Sequence, residues 1–211
     1  YSLEFKNVSF SYNKVNEVLK QVSFKINKGE IIALTGPSGS GKSTIMYLIE
    51  QFYSNYSGTI EINGNNIKEY SLQSIRDQIA YIPQQNYIIP ESIRNNILYP
   101  SENSSDADIF KLSAKTNLSP VLRDFTHGLD TYIGPGGITL SEGQKQRIAI
   151  TRELLKNKSL FLLDEITSAL DSESEHIIQE NLSDIVSDKI TFIIAHRLST
   201  IKNANKIIFL E

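Results

Sequence analysis

Eight residues, Gly36-Pro37-Ser38-Gly39-Ser40-Gly41-Lys42-Ser43, restrict what this chain can fold into more than any other stretch. They fit G-x-x-x-x-G-K-[ST] at every fixed position. Ile31, Ile32, Ala33 and Leu34 before them read as a short buried strand. Ile45, Leu48, Ile49 and Phe52 after them fall at helical spacing. A glycine-rich loop between a strand and a helix can wrap closely around an anion. Its N–H groups and the helix N-terminus then point at phosphate oxygens. In such a loop Lys42 adds a full charge near the β and γ phosphates, and the Ser43 hydroxyl is positioned to ligate Mg²⁺. Thr44 is expected to donate to an α-phosphate oxygen. The plainer alternative, a Gly/Ser-rich loop that ends by chance in Lys-Ser, is weakened by the strand-loop-helix setting.

A second stretch answers the first. Leu160, Phe161, Leu162 and Leu163 form an apolar run that ends in Asp164-Glu165. Acids at the end of a buried strand are costly without a partner. Asp164 is suited to hold Mg²⁺ opposite Ser43, and Glu165 to polarise an attacking water as general base. Gln84 follows the strand Ile79–Ile82 and Pro83, at a strand end where open α/β sheets bind ligands. His196 follows the strand Ile190–Ile194, and its place at a strand end makes it a candidate γ-phosphate contact. Tyr12 closes Val8-Ser9-Phe10-Ser11-Tyr12; it is either an aromatic that stacks on a base or a half-buried strand tyrosine. Leu140-Ser141-Glu142-Gly143-Gln144 precedes a helix from about Lys145 to Lys156. Ser141 is a plausible N-cap. An anion-binding helix start is the functional alternative, and on physical grounds alone the cap suffices.

The chain has 211 residues and a net charge of −3, without the basic surplus of a protein that grips nucleic acid by its phosphates. It has no cysteine, which excludes a disulfide framework and a thiolate metal site. No apolar run is long enough to span a bilayer, so no direct membrane insertion by this stretch is expected. The chain opens on Tyr1 and stops at Glu211 just after Ile207-Ile208-Phe209-Leu210; the expectation is a domain of a longer polypeptide whose membrane part lies outside it.

Three segments are expected. Residues 1–85 carry a β-rich N-terminus (Leu3, Phe5, Val8, Phe10, then Val22, Phe24, Ile26) and the first part of a phosphate-binding core, with an Asn63-Gly64 hairpin and a short helix capped by Ser71. Residues 86–139 read as a mainly helical insertion, with helices over Ser92–Leu98 and Asp106–Thr116. Residues 140–211 hold the Ser141 helix, the Asp164 strand, a helix over Ser172–Val186 and the remaining core.

Together these sites resemble the nucleotide-binding domain of ABC transporters over essentially the whole chain. The most specific part is Leu140–Gln144 placed ahead of Leu160–Glu165. The resemblance implies an α/β fold: a P-loop NTPase (RecA-like) core with an N-terminal antiparallel β subdomain and an inserted α-helical subdomain. It implies ATP and Mg²⁺ as ligands. Tyr12 matches the adenine-stacking aromatic, and Gln84 the glutamine that senses Mg²⁺ and the attacking water. Ser168 to Asp171 match the loop that crosses to a partner subunit, and His196 the switch histidine. It further implies a head-to-tail dimer, in which each ATP lies between one copy's Gly36–Thr44 and the other's Ser141, Gly143 and Gln144. Glu91–Ile97 and Thr131-x-x-Gly134 look like the exporter branch, which implies a fused transmembrane domain and a place on the cytoplasmic face of a cell membrane. Glu142 stands where the family usually has Gly, and Tyr132, Pro135 and Gly136 where exporters usually have charged residues. The competing readings are a soluble ABC ATPase of DNA repair or chromosome cohesion, an importer ATPase, and a module that binds ATP without hydrolysing it. No sustained heptads favour the first, and the intact Lys42, Gln84, Asp164, Glu165 and His196 disfavour the last.

Overall fold

The computed structural model describes residues 1–13, 15–99, 104–166, 170–195 and 201–211. The chain divides into two compact units. The first comprises Tyr1–Ala80, Lys158–Asp164 and Val186–Glu211; the second comprises Tyr81–Asn157 and Glu165–Ile185.

The first unit holds one sheet whole and, save Tyr81 and Ile82, another. One is antiparallel, with β1 (Ser2–Phe10) between β2 (Leu19–Asn27) and β4 (Ser57–Ile62), and the two-residue β5 (Asn65–Asn66) outside β4. Asn63 and Gly64 link β4 to β5 with φ 53° and 83°. Two successive positive φ values are what a two-residue hairpin turn needs, and Asn-Gly supplies them at least cost. Leu3 and Phe5, then Val8 and Phe10, are buried, so the period of two is broken once, at Lys6 and Asn7, where both residues are exposed and the register with β2 shifts.

The other sheet has the order β6-β7-β8-β3-β9, with β3 (Ile31–Thr35), β6 (Ile79–Ile82), β7 (Leu160–Asp164), β8 (Ile190–Ile194) and β9 (Lys206–Phe209). β3 runs parallel to both β8 and β9, and β7 parallel to β8. β8 is buried along its whole length and β3 and β7 up to their last residue, the pattern of strands covered on both faces. Phe24 joins the sheets: it stacks on Phe5 at 4.5 Å and meets Phe192 edge-on at 5.8 Å.

β3 leads into helix α1 (Lys42–Ile49), which buries Ile45, Met46, Leu48 and Ile49. The helix ends before Phe52, which is 56% exposed with the Arg76 guanidinium 4.9 Å over its ring. The apolar spacing that includes Phe52 therefore overruns the helix. A short helix α2 (Leu72–Arg76) is capped by the Ser71 hydroxyl.

The second unit is helical. α3 (Ile93–Leu98), α4 (Asp106–Lys115), α5 (Ser119–Asp124) and α6 (Glu142–Leu155) surround a core of Ile93, Ile97, Ile109, Leu118, Val121, Leu122, Leu129, Ile133, Leu140 and Ile148. α7 (Ser172–Val186) begins in this unit. The helix that follows Ser141 thus shares a core with α3 and α4. Ser92 and Ser105 cap α3 and α4, and Ser105 forms a reciprocal capping pair with Asp108.

Candidate active site

The strand register of the first unit brings chemistry to one edge. Asp164 pairs with Ile194, and Ile194 with Leu34, so the last residue of β7 is level with the end of β3. Two strand spacings, about 10 Å, separate them. The Ala195 amide donates to the Leu34 carbonyl at 3.1 Å. The carboxyl ends of parallel strands are the ligand-binding edge of such sheets.

From β3 the chain enters the glycine loop. Gly36, Gly39 and Gly41 take φ of 138°, 81° and 99°. Gly36 is the most constrained: a Cβ there would lie 2.1 Å from the Leu210 carbonyl oxygen. Pro37, Ser38 and Gly39 are exposed, while Ser40, Gly41 and Lys42 are buried. The Lys42 ammonium donates to the carbonyls of Gly36 and Pro37 at 2.9 and 2.8 Å. It thereby sits inside the curl of the loop, where an anion would replace those carbonyls as its partner. The Ser40 hydroxyl is buried with no hydrogen-bond partner among the described residues. A cup of left-handed glycines, an ammonium turned inward and an unsatisfied hydroxyl fits a phosphate chain.

Tyr12 is 48% exposed, edge-on to Phe10 at 4.9 Å and to Tyr53 at 5.2 Å. Its hydroxyl shares a 2.8 Å hydrogen bond with Thr44 Oγ1, which ties this aromatic to the first turn of α1. Ser43 is half-buried beside them on the same helix. Burial pushes the Tyr47 phenol up, and the charge of Asp164 adds to it, so the carboxylate acts on α1 itself. A hydroxyl from Ser43 and a carboxylate from Asp164 suit a hard cation that takes its other ligands from phosphate and water. No cluster of three or more His, Cys, Asp or Glu able to hold a metal by itself occurs among the described residues.

In the second unit, Gln84 Nε2 donates to Glu165 Oε2 at 2.9 Å. Glu165 has φ 52°, a left-handed conformation that costs a non-glycine residue on the order of 1 kcal/mol or more and concentrates at functional sites. The Ser141 hydroxyl accepts the Gln144 amide at 3.2 Å while Gln144 Oε1 accepts the Ser141 amide at 2.9 Å, a reciprocal capping box. Gly143 and Gln144 are half-buried in this first turn and Ser141 is exposed. The Glu142 carboxylate is held by Lys145 at 2.7 Å, three residues along the same helix. Ser168 and His196 lie outside the described residues.

Two arginines of α6 went unread in the sequence. Arg147 donates to the Ser174 hydroxyl and to Asp171 at 3.4 Å; Asp171 is held below the usual carboxylate range, first by the Ser174 amide. Arg152 donates to the carbonyls of Asn96 and Tyr87. Their partners lie 24 to 65 residues away, so no local period announces them.

A profile described as ABC transporter matches residues 19–168. The chain belongs to the ABC transporter family. ATP is the nucleotide that membership in the ABC transporter family brings to the glycine cup. An ATP-dependent lipid A-core flippase of Alcanivorax borkumensis is 44% identical over 211 residues, which cover 100% of this chain and 36% of the flippase. ATP-binding cassette sub-family B member 6 of Xenopus tropicalis is 42% identical over 99% of this chain and 25% of its own length. The solved structure of a bacterial Atm1-family ABC exporter with ATP bound matches with a TM-score of 0.92 at 37% identity, over 100% of this chain and 37% of that one. The chain therefore spans between a quarter and somewhat over a third of the length of these relatives, 25% to 37%, and its fold is that of an ABC exporter's P-loop ATPase domain.

Proposed function

We propose that this chain is the ATP-hydrolysing motor domain of an ABC exporter. It would act on the cytoplasmic face of a membrane, coupled to a transmembrane domain of the same transporter. The observation that carries hydrolysis is the Gln84–Glu165 hydrogen bond of 2.9 Å, made by the residue directly after Asp164. A carboxylate oriented by an amide, next in the chain to a cation-binding carboxylate, is the arrangement needed to take a proton from an attacking water.

The residue roles follow from chemistry. Gly36 to Thr44 cradle the phosphates through backbone N–H groups, and Lys42 neutralises the β and γ oxygens. Tyr12 offers an exposed ring to the base. Ser43, Asp164 and Gln84 would hold Mg²⁺, which when bound neutralises charge on the phosphates. Glu165 accepts the proton of the attacking water and Gln84 keeps its carboxylate turned. His196 is assigned the γ-phosphate contact. Ser141, Gly143 and Gln144 offer a helix start to the ATP held by a second nucleotide-binding domain, identical or homologous, in a head-to-tail dimer. ATP would favour that closed pair because both halves touch it, and hydrolysis would release it.

The test is Glu165→Gln, which removes the base while preserving size and the bond to Gln84. Turnover should fall about 100-fold or more, and gel filtration with ATP and Mg²⁺ should show a stable dimer. A variant that hydrolyses ATP at the wild-type rate, or stays monomeric at saturating ATP, contradicts the reading.

A further inference from the structure

The stretch 83–91, all of it described, carries neither helix nor strand, yet it holds Gln84. Its backbone is pinned by two side chains. Asn96 on α3 is fully buried. Its amide nitrogen donates to the carbonyls of Ile89 and Ser92, both at 3.0 Å, and its oxygen accepts the Ile89 amide at 2.9 Å. Arg152, in the last turn of α6, closes the arrangement. Its Nε donates to the Asn96 carbonyl at 2.6 Å, Nη1 to the Tyr87 carbonyl at 3.0 Å and Nη2 to Asn96 Oδ1 at 3.3 Å. Burial lowers the pKa of this guanidinium, against the pull of the Glu153 charge.

An arginine whose fork ends on backbone carbonyls is a brace rather than an ion pair. The planar guanidinium fixes its acceptors relative to one another in a way that a flexible ammonium does not. Here it fixes the segment three residues beyond Gln84 to α3 and to α6. Gln84 itself is exposed, and its Glu165 bond is its anchor among the described contacts. A side chain so placed keeps its aim only if its backbone does.

We propose that Arg152 is a positioning residue for hydrolysis: by bracing Tyr87 and Asn96 it holds the segment that keeps the Gln84 amide on Glu165. This rests on the roles given above to Gln84 and Glu165. α6 begins beside Ser141, about 16 Å of helix away at 1.5 Å per residue, so one rod carries the helix start offered to a partner's nucleotide and the brace behind Gln84.

The test uses the full-length protein. Arg152→Met should lower kcat about ten- to hundred-fold, the scale of a small misplacement at a reacting centre, while KM for ATP stays unchanged. Arg152→Lys should fall between, because an ammonium reaches one carbonyl and not both. In the double variant with Gln84→Ala, the loss should be no greater than in Gln84→Ala alone. Hydrogen exchange reads the brace without reference to catalysis: peptides over 86–92 should exchange faster in Arg152→Met, with those over 160–164 unchanged. Unchanged exchange over 86–92 overturns the brace. Faster exchange with additive kcat losses overturns the link to Gln84. A Gln84→Ala variant of wild-type kcat overturns the role given to Gln84, and this inference with it.

Discussion

Glu50 is a carboxylic acid at the foot of the helix that begins with Lys42. It is 8% exposed, and its Oε2 has no hydrogen-bond partner among the described residues. Burial pushes its pKa up to about 7 against the pull of Arg76. The folded state thus keeps a proton that the unfolded chain, near 4.5, gives up. Below pH 4.5 both states are protonated and the group has no effect. Stability falls as pH rises from 4.5 to 7, and the loss is complete above 7. Glu50→Gln, which cannot ionise, should therefore melt higher than wild type at pH 8 by a few degrees, on a scale of about 2–4 °C per kcal/mol. The margin should shrink as pH falls toward 4.5; thermal melts at four pH values check this. Nothing in the sequence singles out Glu50, because its desolvation depends on what packs over it. Lys42, Ser43 and Asp164 could be put forward from the sequence because phosphate and cation chemistry dictate residue type at fixed spacing, and the structure places Lys42 inside the loop and Asp164 at the end of β7. The left-handed Glu165 was legible as an acid but not as a strained one.

At the scale of elements, the apolar runs of β3, β7 and β8 are readable because strands covered on both faces admit little else. Serines at 71, 92, 105 and 141 mark helix starts because their hydroxyls take an otherwise unpaired amide. α5 escapes notice: six residues, with a proline in its first turn, leave no period to detect. β9 hides for another reason, since its pairing with β3 joins residues some 170 positions apart. Glu142, the departure in the α6 start, gains a meaning from the structure. Its carboxylate is tied to Lys145 and so brings no unbalanced negative charge to the helix tip. An exposed helical pair of this kind is worth about 0.3–0.5 kcal/mol. Lys145→Met should accordingly weaken ATP-driven dimerisation by roughly two-fold, and Glu142→Gly in the same chain should restore it. Sedimentation of the Glu165→Gln background with ATP measures both; a Lys145→Met defect that persists beside Glu142→Gly refutes the compensation.

For the molecule as a whole, nucleotide binding and stability are linked. A ligand that binds only the folded state at 100 times its Kd adds about 2.7 kcal/mol. For a chain of this size that corresponds to a rise in Tm of about 5–10 °C. ATP should produce such a rise in wild type, and Lys42→Ala should abolish most of it while keeping its own nucleotide-free Tm; calorimetry with and without ATP decides. The two sheets and the helical unit were foreseeable from the alternation and capping signals. The division of the chain between units was less so, because Lys158–Asp164 and Val186–Glu211 return to the first unit through contacts that no local pattern encodes. One such return has a wider effect. Gly36 lies so close under the Leu210 carbonyl that even a methyl group is excluded, and the Leu210 amide is fastened to Thr35. The floor of the nucleotide cup is thus laid by the main chain of a residue remote from it in sequence, so a saturating mutational survey scored for ATP affinity would tolerate no replacement at Gly36 even though no ligand atom need touch it.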